Sequence, residues 1–120
     1  MADQTPRYAW MNGAIIPWDR CVVHGRSAGG FMGSNVFEGV RAYWSARQDE
    51  LFVFKHEEHL QRLARSMKTV RSDVPVTRRE IGRGARDLLR ASEFRQDVRG
   101  FPRAFPGTWS LQRGPGIDPV

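Results

Sequence analysis

Residues 36–43 alternate strictly in character. Val36, Glu38, Val40 and Ala42 make one set, and Phe37, Gly39, Arg41 and Tyr43 the other. A two-residue period demands a strand with two unlike faces. The second face carries two aromatic rings, a gap at Gly39 and a cation. It reads either as a pocket wall or as a core face with a bulge at Gly39 and Arg41 reaching solvent along its stem. The alternation leaves both readings open.

The neighbouring segments supply partners for this strand. Leu51-Phe-Val-Phe54 is a short apolar run after a polar turn, and it predicts an antiparallel partner. Upstream, Tyr8–Met11 and Ala14–Ile16 flank Asn12-Gly13, a strong two-residue hairpin signal stopped by Pro17. Cys21–His24 reads as a third short extended piece. The glycines at 25, 29, 30 and 33 match neither common nucleotide-binding fingerprint, and a flexible connector is the expectation there.

Two helices follow. Leu60, Leu63, Ala64 and Met67 recur at helical spacing and predict a helix over about 57–69. Glu57 and Glu58 suit its N-terminal end and Lys68 its C-terminal end. Arg62 lies beside the apolar stripe, where it can aim along the sheet edge. His59 reads as an exposed helix histidine. His24, His56 and His59 lack the H-x-x-x-H spacing of a metal site, so no metal is expected. Thr77-Arg-Arg-Glu80 is a capping box that predicts a helix over 78–92. Gly82 and Gly84 weaken that helix unless they permit close packing. From Phe94 neither period survives, and the last 27 residues hold four of the seven prolines. This predicts a unit over 1–93 and an irregular Gly/Pro/Arg-rich tail over 94–120.

A chain of 120 residues supports one modest core. Of its 19 basic residues 17 are arginine, and Lys55 and Lys68 are the two lysines. The net charge of +6 admits nucleic acid or phosphate-bearing ligands, although arginine spread over solvated faces accounts for it more simply. No apolar run reaches membrane-spanning length, and the N-terminus has no secretory pattern. With a single cysteine, the cytoplasm is the expected compartment.

Taken together, Trp10-Met-Asn-Gly13, Pro17-Trp18, Val23-His24, Gly33-Ser-Asn-Val-Phe-Glu-Gly-Val-Arg-Ala-Tyr43 and Phe54-Lys-His-Glu-Glu-His-Leu-Gln-Arg-Leu63 resemble, in this order, the start of fold-type IV pyridoxal-phosphate aminotransferases. The likeness is greatest to the branched-chain amino acid aminotransferases and covers residues 8–80, about two thirds of the chain. It implies that family's small N-terminal α/β (α+β) domain: a small antiparallel sheet with two packed helices. It implies pyridoxal phosphate as cofactor, with Arg62 as the phosphate arginine. Phe37, Gly39 and Arg41 then line the substrate pocket, and Met32 stands where the family carries a pocket tyrosine.

The resemblance further implies amino transfer between a branched-chain amino acid and 2-oxoglutarate, and a homo-oligomer in the full-length form. The family's Schiff-base lysine lies downstream of the matched region, and neither Lys55 nor Lys68 occupies its motif position. No catalytic residue is therefore assigned, and the chain alone is expected to be inactive, as a truncated or frame-shifted form. The rival expectations are a non-catalytic interaction module that binds a full-length relative and, behind it, a basic nucleic-acid-binding fragment.

Overall fold

The computed structural model describes residues 5–72 and 74–105. The chain opens with a hairpin, β1 (Tyr8–Met11) and β2 (Ala14–Pro17), in which Met11 faces Ala14. Asn12 and Gly13 both adopt positive φ, 50° and 93°, as the two-residue turn requires. Trp18 N–H donates to the Arg7 carbonyl at 3.0 Å and closes the hairpin's far end.

Residues 21–24 form no strand, contrary to the extended piece expected there. They are exposed and have no ladder partner. The glycine-rich stretch is not merely a connector either. It contains a single helical turn, α1 (Ala28–Phe31), capped by the Ser27 hydroxyl, which accepts from Gly30 N–H at 3.1 Å. Ser27 is 1% exposed, so this cap is an internal fixture.

The alternating stretch forms β3 (Val36–Phe37) and β4 (Val40–Ser45), broken at Glu38 and Gly39. The alternation runs through the break. Glu38, Val40 and Ala42 are buried, while Phe37, Gly39, Arg41 and Tyr43 are exposed. β5 (Glu50–Val53) pairs antiparallel with β4, with Tyr43 opposite Phe52.

The 94–105 stretch corrects the expectation of an irregular tail. β6 (Val98–Gly100) pairs with the other edge of β4, and β7 (Arg103–Ala104) pairs with β3. The central sheet thus runs β5-β4-β6, all antiparallel. The Asp97 carboxylate accepts from Trp44 N–H at 2.8 Å and fixes where β6 begins. The remainder of the expected tail, 106–120, lies outside the described residues.

α2 (His56–Thr69) and α3 (Arg78–Ser92) pack against each other. Thr77 and Glu80 form the reciprocal capping box, as the sequence indicates. Leu60, Leu63 and Ile81 are the core, flanked by Trp10, Val36, Met67 and Val76. The two helix glycines allow the close approach. A Cβ at Gly82 would lie 2.6 Å from Leu60 Cδ1, and one at Gly84 would overlap the Trp10 indole. Among the described residues no helix is long and apolar enough to cross a membrane.

Candidate functional site

Glu38 is the one acidic side chain in the inward set of the alternating stretch. A carboxylate among valines and an alanine must find a cation or remain protonated. It finds one on α2. Arg62 Nε donates to Oε1 at 2.8 Å and Arg62 Nη2 donates to Oε2 at 2.6 Å. Such a fork is the strong, orientation-specific form of the ion pair. His59 lies one helical turn before Arg62, on the same side of α2, and its Nδ1 is 2.8 Å from Oε2. The backbone of Glu38 is also fixed, because its N–H donates to the Pro102 carbonyl at 3.0 Å.

The cluster sets its own protonation. The Arg62 hydrogen bond holds the Glu38 carboxyl well below its ordinary value, at about 2; burial opposes this and His59 assists it. Glu38 in turn raises the Arg62 guanidinium above its ordinary value. An ionised carboxylate only accepts, so His59 Nδ1 carries the proton and donates it to Oε2. The 3.4 Å approach between Arg62 Nη2 and His59 Nδ1 is then two donors converging on one oxygen. His59 is therefore not the free exposed histidine that the helix pattern suggests; its side chain is mostly covered.

Glu38 uses only one edge of the guanidinium. The Nε and Nη2 protons that face it are taken, but the edge formed by Nη1 and the second Nη2 proton has no protein acceptor among the described residues. The Arg62 side chain as a whole remains more than half exposed. A tetrahedral phosphate fits such an edge, since two of its oxygens can accept from adjacent N–H groups. Arg62 as found is thus suited to hold a phosphate without releasing Glu38.

Phe37, Gly39 and Arg41 share one face of the β3–β4 stretch, as the alternation indicates, and the structure shows that face to be exposed. Phe37 is 61% exposed. A Cβ at Gly39 would lie 3.8 Å from the Phe101 ring, so the gap at Gly39 adjoins another aromatic. Tyr43 and Phe54 meet edge to face with centroids 6.3 Å apart. Met32 stands apart from this row, as the C-cap residue of α1, and is also exposed. The two described hollows lie elsewhere, between α2 and α3; the larger, about 360 Å³, is lined by Gln61, Ala64, Arg65, Lys68 and Arg78.

The structure adds cations that the sequence reading passed over. Arg99 lies directly opposite Arg41 in the β4–β6 ladder, and Arg103 lies opposite Phe37 in the β3–β7 ladder. Directly paired residues share a face, so three guanidinium groups flank the aromatic row. Like charges in register disfavour the sheet. Among the described residues Arg41, Arg99 and Arg103 make no ion pair. The available signal was the pattern Val98-Arg-Gly100 after Asp97, too short to declare itself a strand.

No family model matches the chain. A curated relative, the branched-chain-amino-acid aminotransferase of Salmonella typhimurium, is 37% identical over 94 residues, covering 78% of this chain and 30% of the relative. Among solved structures, the branched-chain amino acid aminotransferase of Thermobaculum terrenum in its PLP-form superposes with a TM-score of 0.76 at 38% identity, over 83% of this chain and 33% of that one. The branched-chain aminotransferase of Thermoproteus uzoniensis with norvaline superposes with a TM-score of 0.81 at 30% identity, over 90% of this chain and 36% of that one. The chain spans about a third of the length of the relatives it matches.

Proposed function

We propose that the chain, which is similar to branched-chain amino acid aminotransferases over most of its own length, is the small N-terminal domain of such a fold-type IV protein and supplies the phosphate anchor and one substrate wall of a pyridoxal-phosphate-dependent amino-transfer site. The observation that carries this reading is the open Nη1/Nη2 edge of Arg62, held in place by Glu38. When bound, pyridoxal phosphate supplies the electron sink for moving an amino group between an amino acid and a 2-oxo acid. Arg62 holds its phosphate. Phe37, with Gly39 beside it, offers apolar surface to a branched side chain. Arg41, Arg99 and Arg103 offer positive charge to substrate carboxylates, and their lack of an ion pair among the described residues supports that role. Met32, which the resemblance places in the same pocket, stands apart from this row in the chain and would reach it only as an exposed apolar side chain at the end of α1.

The two lysines are placed for other work. Lys55 precedes α2 in left-handed conformation, with its ammonium over the Phe54 ring at 5.9 Å. Lys68 lines the groove between the helices. Neither occupies the motif position of the family's Schiff-base lysine, so this chain alone is expected to turn over no leucine with 2-oxoglutarate. The unit that carries the function includes β6 and β7 and so extends beyond 93, to at least 104.

The test is a fluorescence titration of the chain with pyridoxal phosphate and with pyridoxal. Tighter binding of the phosphorylated form, lost in Arg62→Ala, supports the reading. Equal binding of both forms by the unsubstituted chain refutes it.

A second reading has its own observation. Phe37, Tyr43, Phe52, Phe54 and Phe101 leave an aromatic face open. Such a face favours association with a longer relative that offers an apolar counterpart. Co-elution with a full-length aminotransferase on size exclusion tests it, and separate elution at micromolar concentration removes it.

A further inference from the structure

We propose that Glu38 is the positioning residue that aims Arg62 at a phosphate. It engages the Nε/Nη2 edge of the guanidinium permanently and so dedicates the Nη1/Nη2 edge to the ligand. This rests on the reading of Arg62 as the phosphate arginine and adds to it a division of labour between the two edges of one side chain.

Arg62 lies on α2 outside the buried Leu60–Leu63 stripe, and its long side chain is 59% exposed. Left alone it samples many rotamers, and binding an anion would have to order all of them. Glu38 removes that freedom before any ligand arrives, because two hydrogen bonds in fork geometry fix both the position and the plane of the guanidinium.

Glu38 is itself unable to turn. The residue is 5% exposed, its backbone N–H donates to the Pro102 carbonyl, and His59 donates to Oε2 beside Arg62. The arrangement has the layout of a rigid outer group holding a ligand-binding group at the productive angle.

Charge alone does not account for the pair. A carboxylate beside Arg62 offsets the very charge that attracts phosphate, so Glu38 opposes anion binding electrostatically. Its presence favours binding only through geometry. Removing Glu38 therefore raises phosphate preference if charge dominates and lowers it if orientation dominates, and the inference commits to the second outcome.

Two substitutions separate these effects. Glu38→Gln keeps the shape, removes the charge, and turns an amide N–H₂ toward a donor. Glu38→Asp keeps the charge but withdraws it by one methylene. The 120-residue chain is titrated with pyridoxal phosphate and with pyridoxal, folding being checked from its amide spectrum, and the Arg62 Nε–H resonance is followed by nitrogen-15 NMR. Each variant is expected to lower the preference for the phosphorylated form by about fivefold or more and to expose Nε–H to solvent exchange. In the unsubstituted chain, added inorganic phosphate is expected to shift the Nη protons and leave Nε–H protected.

Retained or increased preference in either variant, with Arg62→Ala still abolishing it, overturns the role of Glu38 and leaves that of Arg62 standing. Preference that survives Arg62→Ala overturns both. If neither Glu38 variant folds, the unsubstituted chain decides: an Nε–H that loses protection when phosphate is added contradicts the division of edges, and one that stays protected supports it.

Discussion

Glu38 and Arg62 are 24 positions apart in sequence and share two parallel hydrogen bonds, one from Nε and one from Nη2. The pair ties the break between β3 and β4 to the middle of α2. It also makes a single carboxylate responsible for a defined part of the acid response.

The folded-state pKa of Glu38 is about 2, below its ordinary value of 4.5. A depressed carboxylate stabilises the fold above its unfolded pKa and loses that contribution as pH falls toward the folded one. Stability is therefore expected to decline between pH 4.5 and 2, with Glu38 contributing a slope of up to about 1.4 kcal/mol per pH unit. His56, held below its ordinary value chiefly by burial, loses its contribution at higher pH, from 6.5 downward. Urea denaturation at a series of pH values should show the lower window flattened in Glu38→Gln. An unchanged slope there would separate Glu38 from the acid response.

Gly84 lies against the Trp10 indole, where a Cβ would overlap the ring. Alanine is the better helix former by about 1 kcal/mol. Gly84→Ala should nevertheless destabilise the chain by roughly 1–3 kcal/mol, because the rigid ring must move. Gly82→Ala should cost less, since the clash there is with the movable Leu60 Cδ1. Urea midpoints of the two variants give the order, and a stabilised Gly84→Ala would contradict the packing.

Thr77 is the N-cap of α3, and its hydroxyl accepts from Glu80 N–H at 3.2 Å. Glu80 returns the bond by accepting from Thr77 N–H, and this holds its carboxyl below its ordinary value. Thr77→Ala should cost about 1 kcal/mol in denaturant unfolding. A double variant with Glu80→Gln should cost less than the sum of the two singles, because both belong to one motif. Full additivity would mean that the box does not act as a unit.

Arg41 and Arg99 face each other across the ladder, and neither makes an ion pair among the described residues. Replacing Arg99 with Ser should relieve repulsion and raise the urea midpoint slightly, by a few tenths of a kcal/mol. The same variant should weaken binding of 2-oxoglutarate. A midpoint that falls, with 2-oxoglutarate binding unchanged, would assign Arg99 a purely structural role.

Local signals made the helices and the first hairpin legible. The capping box at Thr77 placed α3 over 78–92, and Asn12-Gly13 placed the first turn. Each of these signals is complete within a few residues. β6 and β7 were not legible because they are three and two residues long and exist only through pairing with β4 and β3. Cys21–His24 failed the other way: its residues suit a strand, but no edge is offered to it. In the site, the alternation put Phe37, Gly39 and Arg41 on one face but left open whether that face was core or open wall; the exposure of all three is what the structure adds. The Glu38 cluster was not legible. Glu38 stood only as one member of the alternating set and His59 as an exposed helix histidine, because their contact depends on the packing of α2 beside β3, which joins positions more than twenty residues apart.

Phosphorus-31 NMR of pyridoxal phosphate reads out whether Arg62 meets its phosphate. Titrating the chain into pyridoxal phosphate at pH 7.5, where the phosphate is almost wholly dianionic, should shift and broaden the phosphorus resonance, and Arg62→Ala should leave it at its free position. A resonance that moves equally with the chain and with Arg62→Ala would contradict the account.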